Sequence, residues 1–274
     1  MAENTKAVKE ALEHEIDYLR NRLADRLAEK DHLLFHVCRR LESDYMIQIG
    51  CHEIKNFAAL GKVLRIKREL AMVQDLLECN EPVFLPAVES QLNKEFEGYD
   101  REYQRRVGEL NYAIEYDSRP MELSEKGLQE LTEIYRQVLL DLHPDLNPGL
   151  IGGSAQRDLL ISAMEAYSIE ALGTLFDISE QSSSLDPACP GFIPREWTVE
   201  ELQAQRDSLN HCIAATEEQI ERIKKAHPYN ERELLDDRSA IEKRQRELED
   251  VLEEYKEQYK VYENELWELL GGED

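Results

Sequence analysis

Apolar residues at steps of three and four along most of the chain are the feature that most limits how it can fold. Near the amino terminus this row consists of Leu12, Ile16, Leu19, Leu23 and Leu27, followed by Leu34, Val37 and Leu41. Such spacing puts side chains on one face of a helix, whereas a half-buried strand alternates at every second residue. We therefore expect an all-α protein in which these rows are buried helix faces.

Further helices are predicted before residue 120. A second row consists of Val63, Ile66, Leu70, Val73 and Leu77. Its helix should end near Asn80, because Pro82 follows and proline does not continue a helix. Gly50 is a candidate for a break or a close approach, and a third helix is expected over 87–117. Together these segments predict an N-terminal helical bundle or coiled coil over residues 1–118.

The carboxy-terminal part predicts paired helices. Thr198 and Glu201 form a capping-box pattern, so a helix should begin at Thr198 and end at the turn around Pro228. Beyond the turn, Ile241, Leu248, Tyr255, Tyr262 and Leu269 recur every seven residues, with Leu252, Tyr259 and Leu266 as a second row. Heptads of this kind are typical of coiled coils. We expect an antiparallel coiled-coil hairpin over 197–270, with a homodimer through this seam as the alternative, and a Pro/Ser linker over 181–196.

Composition and charge exclude several classes of function. Charged residues make up 33% of the chain, which suits long solvated helices, and the net charge is −25. Such a surface repels nucleic acid and anionic membranes, because both are bound largely through Lys and Arg. A basic protein partner is compatible with the charge, although the excess of acid also simply keeps long helices soluble. With no long apolar run and no signal-peptide core, we expect a soluble, cytoplasmic protein.

The cysteines do not predict a metal site or disulfides. Five are widely spread and no Cys-x-x-Cys pair occurs, which argues against a zinc ribbon. His36, Cys38, Cys51 and His52 are the one cluster with metal-ligand chemistry, but their spacing matches no usual ligand pattern. We therefore expect no metal and no cofactor, and thiols that remain reduced.

The middle segment, 121–180, contains the motif with the most defined chemistry. Leu128, Leu131, Tyr135, Val138 and Leu142 form one clean helical stripe, and His143-Pro144-Asp145 follows directly. Pro144 disfavours α geometry at His143, so the chain should leave the helix sharply and hold both polar side chains on a loop. After a Gly-containing loop, a helix should reopen near Ser154 and a last short helix should follow.

The surroundings of this tripeptide resemble a J domain, the module by which DnaJ-type co-chaperones act on DnaK-type chaperones. Tyr135-Arg136 begins eight residues before His143, Leu146-Asn147 follows the motif, and Ala166-Tyr167 comes about twenty residues later. In particular the segment is similar to the short bacterial J-like modules with a His-Pro-Asp-Leu-Asn-Pro motif. The resemblance covers roughly a fifth of the chain.

The resemblance implies roles for ten side chains. Those that would contact the chaperone are His143, Pro144, Asp145, Arg136 and Asn147. Those that would hold the helices together are Leu131, Tyr135, Leu139, Leu142 and Tyr167. In J domains the His-Pro-Asp loop engages the ATPase domain and interdomain linker of the chaperone and promotes ATP hydrolysis.

The segment departs from the family in three respects. Three Lys or Arg stand against eleven Asp or Glu across 121–180, a balance of −8, and Gln137 and Asp141 occupy positions where basic residues are common. This charge should slow encounter with an acidic partner. The usual first helix is missing, so the end of the third helix, near Leu110 and Ala113, is the candidate to replace it. No Gly/Phe-rich segment is present, which leaves client recognition to the helical arms.

Two functions remain open. One is a J-domain co-chaperone whose helical arms select a client or partner. The other is a structural or interaction protein in which a degenerate J-like hairpin joins two helical modules and stimulates no chaperone. An enzyme is not expected, because no phosphate-binding Gly loop, metal motif or nucleophile pattern is present.

Overall fold

The structure is a computed structural model that describes residues 2–119, 123–147, 154–184 and 197–272. Within these ranges the chain is helical and has no strand, which confirms the all-α expectation. The predicted loop at 148–153 and most of the predicted linker, 185–196 with Cys189, lie outside the described residues. No helix of the described chain is both long and apolar enough to cross a membrane.

The helices follow the apolar rows of the sequence closely. Their bounds are α1 Ala2–His32, α2 Cys38–Tyr45, α3 Cys51–Glu78, α4 Leu85–Asp117, α5 Glu125–Leu142, α6 Ser154–Ser168, α7 Leu172–Ser184, α8 Val199–Lys225, α9 Arg232–Asp236 and α10 Arg238–Leu269. Two π-helical turns, Leu33–Val37 and Met46–Gly50, follow α1 and α2. The helical run therefore does not break at Gly50, where a Cβ atom would lie only 2.8 Å from Met46 Sδ.

Several helix ends lie where the sequence predicts them. Asn80 has φ +54° just after α3, and α4 spans nearly the predicted third helix. At Thr198 the capping box is complete, because Thr198 Oγ1 accepts from Glu201 N and Glu201 Oε2 accepts from Thr198 N. Residues 181–184, predicted as the start of the linker, instead continue α7, since Ser182 is buried and bonded to Asp141.

The described chain forms two compact units that are not consecutive pieces of sequence. The first unit lies within residues 1–39 and 120–230, and the second within 40–119 and 231–274. The segments 1–118 and 197–270 therefore each contribute to both units. Helices that are distant in sequence therefore pack together in the same unit.

The first unit has one core, which is built by α1, α5, α6, α7 and α8. Its buried residues include Leu12, Ile16, Leu19, Leu23 and Leu27 of α1, Leu131, Tyr135, Val138, Leu139 and Leu142 of α5, Tyr167 of α6, and Leu209 and Ile213 of α8. This corrects the expectation that the end of the third helix packs beside α5. Helices α1, α6 and α7 pack on α5, while Ala113 lies in the second unit, where its carbonyl accepts from Ser43 Oγ.

Helices α1 and α8 run parallel to each other in the first unit. Arg22 Nη2 donates to Glu217 Oε1 at 2.9 Å, and Lys224 Nζ donates to Glu29 Oε1 at 3.2 Å. Both pairs join residues 195 apart in sequence. A constant separation requires parallel helices, because in an antiparallel pair the two residue numbers change in opposite directions.

The second unit combines α3, α4 and α10. Asn56 Nδ2 donates to the Leu248 carbonyl, 192 residues away, and Lys67 Nζ lies over the ring of Tyr262, so α3 and α10 are parallel. Helix α4 is antiparallel to α3, as the contacts Phe57–Tyr99 and Arg65–Asn93 demonstrate. The partner of α10 is therefore α3, and that of α8 is α1. This corrects the expectation of one antiparallel hairpin made from the two carboxy-terminal arms.

Candidate functional site

The helix that leads into the His-Pro-Asp motif has a defined start and stop. Ser124 is its N-cap, and its side chain accepts from Gly127 N at 3.3 Å. The last helical hydrogen bond runs from His143 N to the Leu139 carbonyl. His143 then adopts extended geometry, with ψ 129°, because Pro144 would clash with an α-helical residue before it. The predicted abrupt stop is present.

A tight turn presents Pro144 and Asp145 to solvent. Leu146 N and Asn147 N both donate to the His143 carbonyl at 3.0 Å, and this closes the turn. The side chain of Leu146 is only 1% exposed, while that of Asp145 is 52% exposed. Leu146 therefore anchors the turn in the core, while Asp145 is accessible to solvent.

His143 has an internal role as well as a position in the motif. Its Nδ1 accepts from the backbone N–H of Asp145 at 3.3 Å and lies 3.9 Å from Asp145 Oδ2. Burial lowers the pKa of His143, and Lys30 lowers it further, while the carboxylates of Asp145 and Asp31 oppose the shift. A neutral ring that accepts at Nδ1 carries its proton on Nε2. His143 therefore stiffens the turn that carries Asp145.

Asn147 uses its amide within the protein. Its Nδ2 donates to the carbonyl of Leu140 at 2.7 Å and to that of His143 at 3.3 Å. The Leu140 carbonyl lacks a helical partner, because Pro144, four residues later, has no N–H to donate. Its Oδ1 accepts from Arg20 Nη2 of α1 at 3.1 Å. The side chain therefore caps the end of α5 and ties the turn to α1.

Arg136 also contacts α1. Its Nε lies 2.5 Å from Asp25 Oδ1, and its Nη2 donates to Asn21 Oδ1 at 3.0 Å. Further along the same helix, Asp141 accepts from Gln137 Nε2 and from Ser182 Oγ of α7. Arg136, the residue of α5 that was expected to contact a chaperone, therefore has partners within the first unit, and so do Gln137 and Asp141.

The five expected scaffold residues are all buried in one core. Leu131, Tyr135, Leu139, Leu142 and Tyr167 are each at most 4% exposed. The rings of Tyr135 and Tyr167 stack with centroids 4.0 Å apart and planes 5° from parallel, which joins α5 to α6. Stacking of this kind adds about 0.5–1.5 kcal/mol beyond area burial. The predicted core of the hairpin is present.

A buried polar network beneath this stack was not expected from the sequence. Tyr135 Oη donates to Asp31 Oδ2 at 2.7 Å, and Tyr167 Oη lies 3.3 Å from His32 Nδ1. Asp31 is only 4% exposed, and Lys30 Nζ lies 3.4 Å from its other oxygen. Burial, reinforced by the Asp31 charge, raises the pKa of Tyr135, so its hydroxyl stays protonated and donates. The network fixes the position of α1 on α5 and α6.

His36 lies at the edge of this network, in the first π-helical turn. Its ring meets that of Tyr167 edge-on, with centroids 4.7 Å apart, and its Nδ1 is 3.6 Å from Glu170 Oε1. Its buried Nε2 has no hydrogen-bond partner among the described residues. Burial lowers the pKa of His36 to about 4, and the nearby His32 and Arg39 act in the same direction. The four-residue spacing of His32 and His36 was the one signal of this cluster in the sequence.

The turn brings together one imidazole and one carboxylate. His143 and Asp145 are adjacent, but no nucleophile of the described chain is bonded to His143. In the same described ranges, no group of three or more His, Cys, Asp or Glu is placed to hold a metal ion. Asp145 presents an exposed carboxylate on this turn, and such a group can accept two hydrogen bonds from one guanidinium group.

Comparison with known proteins does not supply a family. No family model, no curated protein and no solved structure matches the chain. The turn and its supporting helices are therefore the basis of the function proposed below.

Proposed function

We propose that this protein is a J-domain-like co-chaperone that engages a DnaK-type chaperone through His143, Pro144 and Asp145 and promotes its ATP hydrolysis. The observation that carries the proposal is the turn itself. Asp145 is exposed and the next residue, Leu146, is buried. Both follow a helix whose buried residues lie at the spacing expected from the sequence. The sequence around the turn resembles a J domain, and the geometry is compatible with that resemblance.

Rigidity supports the docking role. The turn is closed by backbone bonds to the His143 carbonyl, by the bond from Asp145 N to His143 and by the Asn147 amide. A loop fixed in its binding conformation loses less entropy when a partner docks. The exposed carboxylate is then available for a planar pair with an arginine of the partner.

Charge should make the encounter slow. Residues 121–180 carry a balance of −8, and Arg136 already pairs with Asp25. Like charges on two approaching surfaces lower the association rate more than they lower the strength of contacts already formed. We expect weak but specific stimulation of the chaperone, and we expect it to depend on the choice of cognate partner.

The test is steady-state ATP hydrolysis by a DnaK-type chaperone with the full-length protein. The wild type should accelerate hydrolysis several-fold, and His143→Gln and Asp145→Asn should abolish the acceleration. Asp158→Asn is the matched control, because it removes one exposed carboxylate from α6 and should leave stimulation intact. Absence of stimulation across several cognate chaperones, or equal stimulation by all variants, would refute the proposal.

A second candidate is a structural connector without chaperone activity. It is favoured by the contacts of Arg136 with Asp25 and Asn21 and by that of Asn147 with Arg20, which occupy these side chains internally. It predicts that His143→Gln leaves binding to every partner unchanged. A pull-down of the wild type and His143→Gln, with and without ATP, separates the candidates. An ATP-dependent chaperone band lost in the variant favours the co-chaperone, and an identical band pattern favours the connector.

A further inference from the structure

Five large apolar side chains remain exposed at one end of the second unit. Helices α3 and α10 are parallel and α4 is antiparallel to α3, so the end of α3, the start of α4 and the end of α10 are on the same side of the unit, with α4 and α10 both packed on α3. We call this the apolar end. Its members are Leu77, Phe84, Leu85, Trp267 and Leu270, and they are between 41% and 63% exposed.

Toward the apolar end, α3 and α4 keep a packed core, in which Val88 of α4 is buried, whereas the described part of α10 has no buried apolar residue there. Val73 is the last buried apolar residue of α3, and Leu248 is the last of α10, within the described residues. Phe84 nevertheless has a fixed position, because it is the N-cap of α4 and Pro86 sets the first helical turn. The apolar end therefore adjoins a packed core on α3 and α4, and its five side chains lie outside that core.

The charged residues of the two segments that form the apolar end are all acidic. Residues 74–90 and 263–272 contain seven Asp or Glu and no Lys or Arg. The acidic residues are Asp75, Glu78, Glu81, Glu89, Glu263, Glu265 and Glu268. Single exposed apolar residues are ordinary, and an acidic helix face alone is usually only solvated. Aromatic side chains surrounded by one sign of charge form a surface complementary to a ligand that is apolar and of opposite charge.

We propose that the apolar end binds a basic amphipathic segment of a partner protein. The apolar side of the segment packs on Phe84 and Trp267, and its lysines and arginines lie beside the surrounding carboxylates. Nucleic acid and anionic membranes are repelled by the same carboxylates, and so is the identical end of a second copy. This inference goes beyond the chaperone proposal and does not depend on it.

The binding test uses two labelled synthetic peptides, each an amphipathic helix, one of leucine and lysine and the other of leucine and glutamate. Fluorescence anisotropy with the full chain should show saturable binding of the lysine peptide, weakened by salt, and none of the glutamate peptide. In a Trp197→Phe background, the emission of Trp267 should shift to the blue on binding. Equal binding of both peptides, or an unchanged Trp267 emission, would overturn the inference.

Two double variants test whether the peptide binds at the apolar end. The double variant Phe84→Ala/Trp267→Ala should weaken binding about tenfold or more, since two exposed aromatic anchors are removed. Phe176→Ala/Ile169→Ala removes apolar residues of similar exposure from the first unit and should have no effect. Unchanged binding by the first variant contradicts the proposal. So does a concentration-dependent dimer of the wild type that is lost in that variant, because a second copy would then cover this end.

Discussion

Replacement of His36 tests the buried network between α1, α5 and α6. His36→Phe keeps an aromatic ring against Tyr167 and removes both ring nitrogens. In the folded chain, burial and the charges of His32 and Arg39 lower the pKa of His36 from 6.5 to about 4, and the nearby Glu170 does not reverse this. The ring is therefore neutral in the folded protein at pH 7. Its titration should contribute a defined pH dependence to stability.

The sign of that dependence follows from proton linkage. Above pH 6.5, His36 is neutral in both the folded and the unfolded chain, and its protonation does not affect stability. Between pH 6.5 and about 4, the unfolded chain takes up a proton that the folded chain does not, so the free energy of unfolding falls as the pH falls. A difference from 6.5 to about 4 corresponds to about 3 kcal/mol, and the 13% exposure of the side chain requires little reduction for solvent screening.

Urea unfolding measured by Trp197 fluorescence isolates this effect. Trp197 packs against the core of the first unit, and a Trp267→Phe background removes the other tryptophan. The difference in unfolding free energy between the wild type and His36→Phe should change by about 2–3 kcal/mol between pH 7 and about 4.5, with the wild type losing more. His36→Gln, which also cannot titrate, should give the same trend. A constant difference across this range would refute the reasoning.

Two further substitutions test individual contacts of the first unit by the same fluorescence assay. Tyr135→Phe removes the hydroxyl that donates to the buried Asp31 and should lower the free energy of unfolding by about 1.5–3 kcal/mol, whereas Tyr18→Phe at an exposed site should change little. A loss no larger than that of the control would contradict the role of the network. Thr198→Ala breaks the capping box of α8 and should cost about 1 kcal/mol, and an unchanged urea midpoint would show that this cap does not stabilise the unit.

The features that could be predicted from the sequence are those that depend on neighbouring residues. The stripe from Leu131 to Leu142 predicts the buried face of α5 because helical period alone sets that face. The stop at His143 follows from the steric effect of Pro144, and the start of α8 follows from the capping box at Thr198. These features require no knowledge of the rest of the chain.

The pairing of the helices could not be predicted in this way. A stripe such as that of α10 indicates that a helix has a buried face, but many apolar faces in this chain could cover it. The observed partners are 195 residues apart in α1 and α8, and no local signal distinguishes this arrangement from a hairpin. The heptad tyrosines indicated coiled-coil packing, and they left its partner undetermined.

The candidate site also has some features that depend on neighbouring residues and others that depend on tertiary packing. The position of His143, Pro144 and Asp145 on a sharp turn follows from the tripeptide. The partners of Arg136 and Asn147 lie 111 and 127 residues away, on α1, and depend on tertiary packing. The burial of Asp31 against Tyr135 could not be predicted either, because an aspartate on a helix is usually exposed.

The most direct test of the co-chaperone proposal is a single-turnover measurement of ATP hydrolysis on a cognate DnaK-type chaperone preloaded with ATP. The rate is followed as the concentration of the full-length protein rises, at raised salt to screen the repulsion between the two acidic surfaces. The proposal predicts that the rate rises to a plateau with the wild type and with Asp158→Asn and stays at the basal value with Asp145→Asn. A basal rate at every concentration of correctly folded wild type would contradict it, and so would a plateau shared by Asp145→Asn.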